Sequence, residues 1–161
     1  MHCYKYMERP MQMYLRFLLM IATSTAIMYG LMFLNVYEAS HVRWSDTRLY
    51  MALIMGAGMA VVMLAFMLHM YQNRKANIAI VLGAIALFGA SLYLVRSQAG
   101  VDDVAWMKAM IPHHSIAILT SERARITDPR ARKLADEIIA AQRKEIAEME
   151  ALIRELEQRG Q

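Results

Sequence analysis

The sequence has a single cysteine, Cys3, so no disulfide can form within one chain. No strand-like alternation occurs anywhere, and this excludes β and α/β architectures. No glycine-rich phosphate loop, no His-Glu-x-x-His and no Ser, His and acid arrangement is present, which argues against nucleotide, zinc-hydrolase and serine-hydrolase chemistry. The two C-terminal helical segments carry no Glu-x-x-His pair, the signature of a di-iron bundle. The formal charge of +4 is not gathered into a basic stripe with interleaved aromatics, so no nucleic-acid partner is expected. These absences point to a binding protein rather than an enzyme.

What is abundant is apolar surface, and it is unevenly placed. Of 161 residues, 58% are hydrophobic, concentrated in the first two-thirds of the chain. Three segments match the roughly 20 residues needed to cross a bilayer core: about 11–36, 49–71 and 77–95. None has a charge near its centre. Arg16 can snorkel to the interface, and Tyr14, Tyr37, Trp44, Tyr50, Tyr71 and Tyr93 lie near span ends, where amphipathic rings prefer to sit. The first span is longer than a signal-peptide core, about 7 to 15 residues, and is read as a retained anchor. Residues 1–100 are therefore assigned to a membrane domain and 101–161 to a soluble one. Lys5 and Arg9 precede the first span, and Arg74 with Lys75 occupy the turn between the second and third. By the positive-inside rule the N-terminus is cytoplasmic and the C-terminal domain faces outward, against a modest opposing contribution from Arg43 and Arg48.

The C-terminal domain reads as a helical hairpin. Asp102 or Asp103 can start its first helix, and Asp128 followed by Pro129 is an N-cap with proline at the first helical position. Pro112 cannot donate to the carbonyl of Lys108, which predicts a kink or restart just before His113 and His114. On the first helix Asp103, Met107, Met110 and His114 fall within about 60° of arc, with His113 on the flank. On the second, Leu134, Ile138, Ala141, Gln142, Glu145, Met149, Leu152 and Leu156 share a stripe about 100° wide in which Glu145 is the misplaced charge. Thioethers and imidazoles together suit a soft metal ion, with Glu145 better suited to orienting a histidine than to direct ligation. The plainer alternative is a His114–Glu145 pair that only sets helix register.

Methionine is unusually frequent, 16 of 161 residues. In the second span Met51, Met55, Met59, Met63 and Met67 recur every fourth residue, ahead of His69 and Met70, and wind slowly over about 24 Å. This ladder reads as a flexible packing surface, with Gly56 and Gly58 permitting close approach, or as a path for a soft metal ion. Met1, His2, Cys3, Met7, Met11 and Met13 form a second group of soft donors.

The run from Trp106 to His114, Trp-Met-x-x-Met-Ile-Pro-His-His, then Ala117, and the later block Leu134-Ala135-x-x-Ile138-Ile139-x-x-Gln142-x-x-Glu145-Ile146-x-x-Met149, closely resemble the domain-of-unknown-function 305 family, and more loosely its membrane-anchored subgroup. The resemblance implies an exported, ferritin-like helical bundle associated with copper binding or tolerance. It places the family's Met and His positions on Met107, Met110, His113 and His114, and its second block on Gln142, Glu145 and Met149. Longer members of the family have more helices than this one hairpin.

The expectation is thus an all-α protein of three transmembrane helices and an extracytoplasmic ferritin-like hairpin, anchored in the inner (plasma) membrane. Two hairpin stripes left bare predict a homodimer, or a larger even homo-oligomer, that completes a four-helix bundle. Copper homeostasis as chaperone, buffer or sensor is the expected role, with other copper-handling proteins as partners. A non-metal oligomerisation or docking module is the alternative. If the chain is instead monomeric, the hairpin is expected to pack on its own membrane helices, against the loop containing His41 and Trp44.

Overall fold

A computed structural model describes residues 10–159. Among them there are five α-helices and no strand: α1 Pro10–Leu31, α2 Asp46–Phe66, α3 Arg74–Ser97, α4 Asp103–Arg123 and α5 Pro129–Arg159, with a 3-10 turn at Ala39–His41 between the first two. Three helices, Met11–Leu31, Asp46–Phe66 and Arg74–Ser97, are long and apolar enough to cross a membrane. Membrane association follows from that. Met1, His2, Cys3, Lys5, Met7 and Arg9 lie outside the described residues.

The chain divides into two compact units. One takes the chain up to Tyr29 together with Leu49–Ser97, and the other takes Gly30–Arg48 together with the chain from Gln98 onward.

In the first unit Phe17, Ala60, Leu64 and Tyr71 form the buried cluster. The turn after α2 is fastened to α1 by polar groups: the Tyr14 hydroxyl donates to Asn77 Oδ1 at 2.7 Å and accepts from the Asn73 N–H at 3.1 Å, while Asn77 Nδ2 donates to the Tyr71 carbonyl at 2.7 Å. Rings of Tyr14 and Phe17 pack against Tyr71, tilted and edge-on, at centroid separations of 5.0 and 5.3 Å. The hydrogen bonds satisfy backbone groups in the turn that follows α2.

The methionine ladder divides. Met51 and Met55 are exposed, 40% and 39%, whereas Met63 and Met67 pack against the Phe17, Leu64 and Tyr71 cluster. The four-residue spacing turns about 40° per step and carries the stripe from the outer surface to the core. The inner half is helix packing. The two glycines beside it also differ. A Cβ on Gly56 would run into the Thr25 side chain, which is held in place by its own bond to the Ile21 carbonyl at 2.8 Å, whereas a Cβ on Gly58 meets nothing within 4 Å. Close approach therefore rests on Gly56 alone. Gly56→Ala should lower unfolding stability in detergent by about 1–3 kcal/mol, the cost of overpacking. Gly58→Ala should leave it unchanged, and adding Thr25→Ala to the Gly56 variant should recover most of the loss.

In the second unit α1 gives way to tight turns, with i to i−3 bonds from Phe33 to Gly30 and from Leu34 to Leu31, both 3.1 Å. The Arg48 guanidinium donates to the Met32 carbonyl at 2.6 Å and sits 4.4 Å above the Phe33 ring. The apolar residues Met32 to Val36, expected in the first span, are used here instead. Ser45 caps α2 by accepting from the Arg48 N–H at 3.3 Å. Asp102 is the cap of α4, accepting from Ala105 at 2.7 Å. Asp128 caps α5, accepting from the N–H of Arg130 at 2.8 Å. The Arg130 side chain first and these backbone donors next hold its carboxyl at about 2. Helix α4 is not restarted at Pro112; it runs through the proline to Arg123, with Pro112 buried.

Candidate functional site

The hairpin core is made by Met107, Ile111 and Ile118 of α4 and Ile146, Met149 and Ile153 of α5, with Met110, Val104, Ile139 and Leu156 packed at its edge. Three of the thioethers singled out from the sequence, Met107, Met110 and Met149, therefore belong to one apolar cluster. Met107 is 4% and Met149 7% exposed.

His114 lies one turn beyond Met110 and faces α5. Its Nδ1 is 2.9 Å from Glu145 Oε2, the closest approach between the two misplaced polar residues of the facing stripes. That nitrogen is fully buried and has no aligned hydrogen bond, so the two groups lie close together but off the N–H direction. The imidazole is 15% exposed and the carboxylate 48%. Burial pushes the His114 pKa below its ordinary value. The negative charge of Glu145 pulls the other way, neighbouring His113 lowers it further, and the side-chain contact with Glu145 raises it. Desolvation prevails, and the neutral ring is the favoured form at neutral pH.

His113 points elsewhere. It is exposed, with its ring 6.1 Å from that of His114. Gln142 is half-buried one turn before Glu145 and makes no hydrogen bond to the others. Among the described residues no group of three or more His, Cys, Asp or Glu side chains is placed to hold a metal ion.

The family model described as a domain of unknown function, DUF305, matches residues 100–161, the hairpin. An uncharacterized protein of Acanthamoeba polyphaga mimivirus is 33% identical over 140 residues, 86% of this chain and 90% of that protein. The likeness thus runs well beyond the hairpin into the hydrophobic part. The chain belongs to the DUF305 family. No solved structure matches it.

The DUF305 hairpin is covered on one side by the loop that contains His41. Ser115 of α4 is fully buried and accepts from the Tyr37 backbone N–H at 2.6 Å, and its Oγ lies 2.9 Å from Nδ1 of His41, itself 8% exposed. The Arg143 guanidinium stacks over the Tyr37 ring at 5.1 Å and donates to its hydroxyl at 3.2 Å, and Arg43 pairs with Glu150 at 3.4 Å. A cleft of about 190 Å³ remains between loop and hairpin, bordered by Tyr37, Glu38, His41, Arg143 and Glu150. The chain does contain one Glu-x-x-His, Glu38 to His41. It lies on this loop, outside the bundle helices, with His41 Nε2 4.0 Å from Glu38 Oε2. A signal for the contact was available: Ser115 interrupts the Ile111 and Ile118 stripe just as Glu145 interrupts its own.

The opposite side of the DUF305 hairpin is open. Trp106, Met110, His113 and Ala117 share about 60° of arc on α4, roughly 170° from Ser115, and Leu134, Ile138, Glu145 and Leu152 line up likewise on α5. Trp106, Leu134 and Leu152 are 51%, 58% and 43% exposed. The His114–Glu145 pair borders this open face.

Proposed function

We propose that the hairpin binds monovalent copper as cargo. In this reading the protein is anchored in the inner (plasma) membrane with its N-terminus in the cytoplasm and its hairpin outside, and acts in copper homeostasis or tolerance as a chaperone, buffer or sensor rather than an enzyme. The observation that carries the proposal is the clustering of the Met107, Met110 and Met149 thioethers on the hairpin face that also presents His114, whose buried nitrogen has no aligned hydrogen bond. Soft sulfur with a neutral imidazole suits a soft monovalent ion, and the lack of a three-residue His, Cys, Asp and Glu group among the described residues disfavours zinc. Glu145 orients the His114 ring. A second copy covers the open face, completes a four-helix bundle and brings the exposed His113, with Gln142, toward the shared site.

One observation favours a second reading. Met107 and Met149 are buried as core residues, and the 2.9 Å approach of His114 to Glu145 also serves a register-setting pair in a non-metal docking module. A competition titration of the full chain in mild detergent, with reductant present, separates the two. Binding of Cu(I) well above zinc supports the first, and a folded protein without measurable Cu(I) binding supports the second.

The electrostatics of His114 add a pH dependence. Its folded pKa lies below the unfolded value of about 6.5, so the unfolded chain takes up the proton more readily. The stabilisation from this residue is complete above that value and is lost as pH falls from it through the folded pKa. Denaturant midpoints of the hairpin signal should therefore drop between about pH 7 and pH 5, and His114→Phe should flatten that part of the profile. A midpoint that rises on acidification would contradict the assignment.

A further inference from the structure

A groove of about 290 Å³ runs along the first unit where α2 approaches α3. Val61, Ala65 and Leu68 form one wall, and Ile78, Val81 and Leu82 the other. Asn77 is the polar side chain at its border, and both ends of its amide are already used, toward Tyr14 and the Tyr71 carbonyl. Leu68, Ile78 and Leu82 are 53%, 50% and 61% exposed, so the groove opens outward from the unit. In a membrane-spanning segment an open apolar groove is filled by hydrocarbon. Its volume is just below that of ordinary small-ligand pockets, about 300 Å³ and upward, and it holds part of one chain rather than a whole lipid.

The charge at its end specifies the headgroup. Arg74 precedes Ile78 by four residues and Leu82 by eight, so it stands one turn beyond the groove on the same face of α3, with Lys75 beside it. Both are exposed and neither has an ion-pair partner among the described residues. We infer that this groove is a binding site for one anionic phospholipid, with an acyl chain against Val61, Ile78 and Leu82 and the phosphate between Arg74 and Lys75. Basic residues at the border of an intramembrane groove favour acidic headgroups in this way, whereas charge that serves only to orient the helices would show no stoichiometric lipid.

The test is native mass spectrometry of the full chain released from micelles that contain equal amounts of phosphatidylglycerol and phosphatidylcholine with identical acyl chains. One phosphatidylglycerol should be retained, preferred about tenfold. Arg74→Gln with Lys75→Gln should abolish the preference while leaving weak, headgroup-blind retention. Leu82→Trp, which fills the groove and leaves the charges in place, should abolish retention of both lipids. Equal retention of the two lipids by the unaltered protein would overturn the proposal, as would a preference that survives the loss of both cations. Retention unchanged in the Leu82 variant would overturn it equally.

Discussion

Leucine in place of both Met107 and Met149 should weaken Cu(I) binding by about a hundredfold or more, about 1.4 kcal/mol for each factor of ten. Zinc affinity should change little, because the substitution removes only soft donors. The exchange is informative because leucine and methionine have similar volumes and both positions are buried in one core. Volume-conserving swaps of this kind usually cost less than about 1.5 kcal/mol, so the hairpin should remain folded while the sulfur is lost. Competition titrations on the variant and the unaltered protein in the same detergent measure the difference. Unchanged Cu(I) affinity would remove the thioethers from the site and leave the His114–Glu145 pair as a structural element.

The largest expected loss of stability comes from Ile111→Ala. Ile111 is wholly buried at the centre of the hairpin core, between Met107 and Ser115 on successive turns of α4. Removing three carbons there should cost about 2–5 kcal/mol, the transfer term plus the cavity left behind. Leu134→Ala, on the open face of α5 with 58% of its surface exposed, should cost a monomeric hairpin much less. In the proposed dimer Leu134 becomes an interface residue, so the same change should lower the dimer fraction at fixed concentration. Denaturant unfolding with mass measurement in mild detergent reads both. Equal destabilisation at the two positions with no change in mass would contradict the division into a core and an open face.

Much of this architecture was legible because it depends on side-chain pattern. The three apolar helices follow from hydropathy, and the hairpin from its stripes and from the caps at Asp102 and Asp128. The approach of His114 to Glu145 was legible for the same reason, since each is a polar residue on an otherwise apolar helix face. The features that escaped depend on backbone groups or on distant partners. Hydropathy counts Met32 to Val36 as membrane span, but the Met32 carbonyl is taken by Arg48 and the Tyr37 N–H by Ser115, which bends this stretch into the second unit. The expectation that both hairpin stripes are bare changes for the same reason, since the loop occupies one side and leaves one open face. Helical geometry places His113 on the flank of the His114 face, and the 100° of turn between them carries it toward that open face. Spacing alone also gave Gly58 the same role as Gly56, because the Thr25 side chain that distinguishes them is on another helix.

A thioether-containing copper site in the hairpin is read out by X-ray absorption at the copper edge on the Cu(I)-loaded full chain carrying Cys3→Ser. Cys3 is the sole cysteine, so in that variant every sulfur neighbour of the metal is a methionine thioether. The first shell should contain both sulfur and imidazole nitrogen, with the sulfur contribution lost when Met107, Met110 and Met149 are all leucine. A shell of nitrogen and oxygen alone, or a sulfur contribution that persists in the leucine variant, would contradict the thioether site.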